Sequence, residues 1–229
     1  MKRTPAIIAA LPREVSALVK GWERRTIAGC VVVYTKSEAV VACAGMGATR
    51  AALAVQAAMA AMPVTDLISV GLAGACNPKL RVGEIVRAGV VVDAKTGERF
   101  IDTKFSQVLV STDAIVSVKE KTRLHASYQA DAVDMEAAAV ARLAQAHGLG
   151  YCAIKAISDG AEFEIEGLAR FSTAEGQFRE TAFALHAALR PSIWSKVIAL
   201  GRNSNKAVGA LTEALRGELD WYGLKGGDL

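Results

Sequence analysis

The 229-residue chain has no CxxC pair; its four cysteines, Cys30, Cys43, Cys76 and Cys152, are scattered. Cys43 and Cys152 sit in apolar runs, as buried free thiols do in a reducing compartment. The three histidines, His125, His147 and His186, have no ligand spacing with one another or with the cysteines, which argues against zinc. No apolar run approaches the ~20 residues that cross a bilayer. The first run, Ala6 to Leu11, is too short for a signal core and is interrupted by Pro12-Arg13-Glu14. A cytoplasmic location is the expectation. A net charge of +4, without a dense Lys/Arg stripe interleaved with aromatics, argues against a nucleic-acid partner. Internal repeats, low-complexity linkers and a clear domain boundary are also lacking. The expected organisation is one domain over 1–229, with a helical C-terminal extension from about residue 190.

What the chain does have is Ala, Val and alternating strand and helix patterns. Pro5 to Leu11 reads as a buried strand, followed by a helix over Arg13 to Lys20 with Pro12 in its first turn. Ile27 to Thr35 and Ala39 to Ala44 read as a hairpin. Gly45-Met46-Gly47 turns into an Ala-rich helix, Ala48 to Ala61, which Pro63 stops. Asp66 to Val70 is a strand running into the small-residue turn Gly71-Leu72-Ala73-Gly74-Ala75, where a backbone could approach a ligand closely. Further strands are expected over Glu84 to Val92, Gln107 to Ser111 and Cys152 to Ile157. Helices are expected over Lys119 to Ala126, Met135 to Ala146, Gly176 to Leu189, Ile193 to Leu200 and Asn205 to Glu218. This alternation predicts an α/β fold, a three-layer αβα sandwich around a mixed sheet.

Two acidic positions stand out. Glu136, in Val133-Asp134-Met135-Glu136-Ala137, starts or precedes a helix, and Asp159, in Ser158-Asp159-Gly160, follows a buried strand. Strand ends are where open α/β sheets bind ligands. One carboxylate on a sugar and another protonating its base could break an N-glycosidic bond. Each also has a plainer reading, Glu136 as a complement to a helix N-terminus and Asp159 as a cap.

In order along the chain, the segments IIAALPREV (Ile7 to Val15), GMGAT (Gly45 to Thr49), VGLAGA (Val70 to Ala75), LRVGEIV (Leu80 to Val86), VDMEA (Val133 to Ala137) and AISDG (Ala156 to Gly160) resemble the nucleoside phosphorylase and nucleosidase superfamily. The likeness is strongest to its methylthioadenosine/S-adenosylhomocysteine nucleosidase branch. The resemblance implies cleavage between ribose C1′ and a purine through an oxocarbenium-like transition state. It implies Glu14 as the acid that activates water and Asp159 as the general acid facing purine N7, kept protonated by apolar surroundings. Glu136 would bind the ribose hydroxyls, Met135 would pack on the sugar, and Ile115 and Val116 would cradle the purine. Gly71, Leu72, Ala73 and Ser158 complete the expected binding residues. No metal or organic cofactor is implied, and a homodimer or larger assembly is.

The chain departs from that branch at Leu72, where Ser is usual, and at Lys155, where Arg is usual. Its segment from Asp93 to Gln107 is also short. Phosphorolysis needs fixed cations for phosphate, and Arg13 is the only nearby cation of the first loop, so water is the expected nucleophile. The short middle and the Trp-containing C-terminal helices also resemble hopanoid-associated phosphorylases, which implies the alternative of phosphorolytic removal of adenine from an adenosylated lipid. Trp194, Val197, Ile198, Val208, Leu211 and Leu215 recur at helical spacing. That stripe would pack on the domain or a partner subunit, or else rest on a membrane surface. A third alternative is a non-catalytic nucleoside-binding protein.

Overall fold

A computed structural model of the chain describes residues 3–27, 30–164, 171, 190 and 193–224. Strand β1 (Pro5–Ala9) shows why the molecule is layered. It is buried along its whole length, and its alternate residues serve opposite faces. Ala6 and Ile8 pack with Ala51, Ala54, Val55 and Ala58 of helix α2 (Ala48–Ala61) and with Val140 and Ala144 of α4 (Ala137–Ala146). Ile7 and Ala9 pack on the other side, with Val15 of α1 (Pro12–Val15) and with Leu211, Leu215 and Leu219 of α5 (Trp194–Trp221). A helix, α3 (Val118–Tyr128), lies between them in the chain. The alanine-rich face of α2 lets its backbone lie close to the sheet, while each buried leucine of α5 contributes about 1.5–3 kcal/mol.

The remaining strands are β2 (Glu23–Ile27), β3 (Val31–Lys36), β4 (Ala39–Cys43), β5 (Asp66–Ala75), β6 (Ile85–Asp93), β7 (Arg99–Ile101), β8 (Gln107–Ser111), β9 (Ala132–Asp134) and β10 (Gly150–Asp159). The sheet is mixed, with parallel pairs such as β1–β4, β1–β5 and β5–β10 and antiparallel pairs such as β3–β4 and β6–β10. It is the mixed α/β sheet that the alternation predicts, but it is not flat throughout. The long β5 pairs with β10 along one edge, and its last residues, Gly74 and Ala75, pair with β9. Because β10, β6, β8 and β9 are themselves joined in that order, this end of the sheet curls into a closed ring. A register shift between Ile157 and Asp159 accompanies the bend.

Several elements differ from the sequence reading. Helix α1 stops at Val15 rather than Lys20. Tight turns follow it, closed by Leu18 N–H to Val15 O at 2.9 Å and Trp22 N–H to Val19 O at 3.1 Å. They bring Leu18, Val19 and Trp22 into the core beside Val15. Residues 71–75 form the end of β5 rather than a turn. The two expected C-terminal helices are one, carried across Asn203-Ser204 by Ala207, Leu211, Leu215 and Leu219 at four-residue spacing on the core. The helix expected over 176–189 lies outside the described residues. Among the described residues, no helix is long and apolar enough to cross a membrane.

Gly89 is fixed by close packing. The register shifts there between Ala88 and Val90, and a Cβ would land inside the backbone carbonyl of Phe105. Gly89→Ala is therefore expected to destabilise the fold by about 3 kcal/mol, the upper end of ordinary overpacking. A urea midpoint equal to wild type would contradict this close approach.

Candidate active site

The ends of β1, β4, β5, β8, β9 and β10 open onto one cavity of about 430 Å³. Glu14, Leu72, Ala73, Ile115, Val116, Met135, Glu136, Ser158 and Asp159 all line it. The residues expected from sequence are thus brought together, with one exception. Gly71 lies behind Glu14 and not on the wall. Its φ is +136°, and a Cβ there would stand 3.3 Å from Glu14 Oε2. The close approach it permits is to a carboxylate of the protein itself.

Glu14 is placed by the corner between β1 and α1. Its Oε2 accepts from the backbone N–H groups of Ala10 at 3.1 Å and Leu11 at 3.0 Å. Burial raises its pKa, against the opposing pull of these N–H donors and of Lys155. A carboxylate made more basic in this way is suited to take a proton from water.

Glu136 occupies the residue before α4, yet its carboxylate does not cap that helix. Oε1 instead accepts from Gly47 N–H at 2.7 Å, so the Gly45-Met46-Gly47 turn, with Gly47 at φ +91°, serves to hold it. The cap belongs to Asp134, whose Oδ2 accepts from Ala137 N–H at 2.9 Å, while Ser111 Oγ accepts from Ala138 N–H at 2.9 Å. Asp134 also pairs with Lys155 at 2.9 Å, and Lys155 Nζ donates to Val70 O at 3.1 Å. Burial opposes the Lys155 ammonium, but the charges of Asp134, Glu136 and Glu14 outweigh it and raise its pKa. Lys155 is only 1% exposed, so this departure from the branch pattern stands behind the cavity and not on its rim.

One buried ammonium therefore faces three carboxylates. The excess negative charge shows at Glu136, whose pKa burial and the charge of Asp134 push up to about 7. Glu136 thus binds a proton in the folded protein that the unfolded chain releases near the ordinary 4.5. Its contribution to stability is fully present below the unfolded value and is lost as pH rises through about 7. Glu136→Gln removes that loss. The melting temperature of the variant relative to wild type is expected to be higher at pH 8 than at pH 5, and an equal difference at both would contradict the raised value.

Asp159 ends β10. Its Oδ1 accepts from Ser158 Oγ at 2.7 Å and its Oδ2 from Lys121 Nζ at 2.5 Å. The apolar surroundings expected for it are not what it has, because α3 delivers an ammonium directly to it. Its side chain does not serve the turn that follows, as a simple cap would.

Sequence reasoning missed Lys121, Asp134, Thr112 and the part of α5 that reaches the cavity, namely Leu200, Gly201 and Ser204 beside Val197. Lys121 had one legible signal, its place three residues before the buried Leu124 on the same helical face. The apolar stripe of α5 divides. Leu211 and Leu215 are core, Val197 and Leu200 are cavity wall, and Trp194 and Ile198 are exposed at 50% and 54%.

A mixed, partly closed α/β sheet with an acidic cavity at its strand ends is the architecture of nucleoside-cleaving proteins of the phosphorylase type. The family model for the phosphorylase superfamily matches residues 4–108 and 94–191, and the chain belongs to that superfamily. No curated protein matches the chain. Among solved structures it is similar to the 5′-methylthioadenosine/S-adenosylhomocysteine nucleosidase of Helicobacter pylori, at 18% identity and a TM-score of 0.72 over 96% of this chain and 98% of that one. It is equally similar to the futalosine hydrolase of Helicobacter pylori, at 18% identity, a TM-score of 0.72 and the same coverage. A mutant of the Helicobacter pylori nucleosidase with 5′-methylthioadenosine in its active site matches at 17% identity and a TM-score of 0.69, over 96% of this chain and 99% of that one.

Proposed function

We propose that this protein hydrolyses the N-glycosidic bond of a 5′-substituted adenosine such as methylthioadenosine or adenosylhomocysteine. The observation that carries this reading is the meeting of Glu14, Glu136 and Asp159 on one cavity whose wall includes Ile115 and Val116. In this reading the purine lies against Ile115 and Val116, with N7 toward Asp159. Glu136 takes the ribose hydroxyls and Met135 packs on the sugar. Glu14 removes a proton from the water that attacks C1′.

The balance of charge favours water over phosphate. Glu14, Asp134, Glu136 and Asp159 stand among the lining residues against two cations, Arg13 and Lys121, and Lys121 is already paired with Asp159. A dianion placed beside Glu14 and Glu136 would meet like charge.

The wall formed by Leu72, Val197 and Leu200 supports an apolar 5′ substituent. It also keeps the second reading in view, phosphorolysis of an adenosylated hopanoid-like lipid, to which the exposed Trp194 and Ile198 of the same helix could give access. Adenine release from methylthioadenosine, adenosylhomocysteine and 5′-deoxyadenosine, with and without phosphate, separates these readings. Free sugar formed at the same rate in both conditions is the expected result. Release that requires phosphate would favour the second reading, and binding without release would mark a non-catalytic nucleoside-binding protein.

A further inference from the structure

We propose that Lys121 is the proton reservoir for Asp159, so that the acid delivered to the purine comes from the lysine and passes through the carboxylate. This rests on the nucleosidase reading given above.

Lys121 is 3% exposed, yet it lies on a helix that is otherwise mostly polar. Its Nζ donates to Asp159 Oδ2 at 2.5 Å, to Gly160 O at 2.9 Å and to Phe163 O at 3.2 Å. Three acceptors match the three N–H bonds of an ammonium. The other carboxylate oxygen of Asp159 accepts from the Ser158 hydroxyl. Asp159 thus holds the Lys121 ammonium at one oxygen and, at the other, the Ser158 hydroxyl, whose oxygen also lies 3.3 Å from Ala73 O. Of the two groups that donate to it, the ammonium is the one able to part with a proton during catalysis. Lys121 is also among the residues that line the cavity, together with Asp159, Ile115 and Val116. A Cβ at Gly74 would lie 3.2 Å from Lys121 Cε and 3.0 Å from Asp159 Oδ2, so that glycine leaves room for the pair.

The step balances as follows in atoms and charge. The C1′–N9 bond breaks and its electron pair stays with the purine. Asp159 Oδ2 receives a proton from Lys121 Nζ and passes one to N7. Water oxygen bonds to C1′, and its proton goes to Glu14. Lys121 is left as a neutral amine and Glu14 as a neutral acid. Exchange of one proton each way with solvent restores both.

The test compares Lys121→Met and Lys121→Arg on two substrates, methylthioadenosine, whose purine needs protonation to leave, and 4-nitrophenyl riboside, whose nitrophenolate does not. Arginine keeps the charge but cannot give up its proton. Both variants are expected to lose methylthioadenosine turnover by ~100-fold or more, in the range of a general acid. The loss on the nitrophenyl riboside is expected to be at least ~10-fold smaller, because that reaction needs no general acid. Near-wild-type adenine release by Lys121→Arg would overturn the relay, as would equal losses on the two substrates. Wild-type protein that cleaves neither substrate would instead refute the nucleosidase reading, and the relay with it.

Discussion

Lys155→Met is expected to destabilise the protein by about 3–5 kcal/mol, the cost of removing one partner from a buried ion pair. Lys155 and Asp134 are 1% and 0% exposed at their side chains, so neither can turn to water for compensation. The change also takes away the buried ammonium whose charge Asp134, Glu136 and Glu14 support. Glu136, already near pKa 7 with the lysine present, would then hold its proton more tightly still. The loss should therefore be larger at pH 8 than at pH 5, where the two glutamates are closer to neutral. Chemical denaturation at both pH values measures it. A loss below about 1 kcal/mol would mean that the ion pair is replaceable by simple packing.

Asp159→Asn is expected to lower turnover of methylthioadenosine by ~10²–10⁴-fold, the usual contribution of a positioned acid. The amide keeps the shape of the side chain and an oxygen that can accept from Lys121, and the carbonyls of Gly160 and Phe163 still hold that ammonium. The fold should survive, as far-ultraviolet circular dichroism would show. What is lost is the oxygen that can take a proton from Lys121 and hand it on. A variant with near-normal kcat would remove Asp159 from the acid role, and an unfolded one would show that the pair is needed for folding.

The parts of this fold that sequence made legible are those with strong punctuation. Helix α2 begins after Gly47 and ends before Pro63, and its bounds were predicted as observed. The bounds of β8 were also predicted as observed. Strand β2 left no apolar trace because Glu23, Arg24, Arg25 and Thr26 are all exposed on an edge. The ring closed by β9 depends on a three-residue strand, too short to show a period.

The site divides in the same way. Glu14, Glu136 and Asp159 sit in motifs that resemble a family, and the fold brings them to one cavity. Lys121 sits in a polar helix, where a lysine ordinarily faces solvent, and its partner is 38 residues away in the chain. Asp134 was legible as part of a motif, but its role depends on Lys155, which arrives on another strand. Gly71 was read as an approach to ligand because the sequence gives no sign that Glu14 occupies that space. Contacts made across the sheet, between residues with no local pattern, are what the linear order hides.

The central claim is that Glu14, Glu136 and Asp159 surround a single sugar–purine linkage. Its most direct test is a crystal structure of the Asp159→Asn variant soaked with methylthioadenosine. The account predicts a purine ring against Ile115 and Val116 with N7 facing residue 159, ribose hydroxyls on Glu136, and a water between Glu14 and C1′. A nucleoside bound elsewhere, or one whose ribose turns away from Glu136, would contradict it.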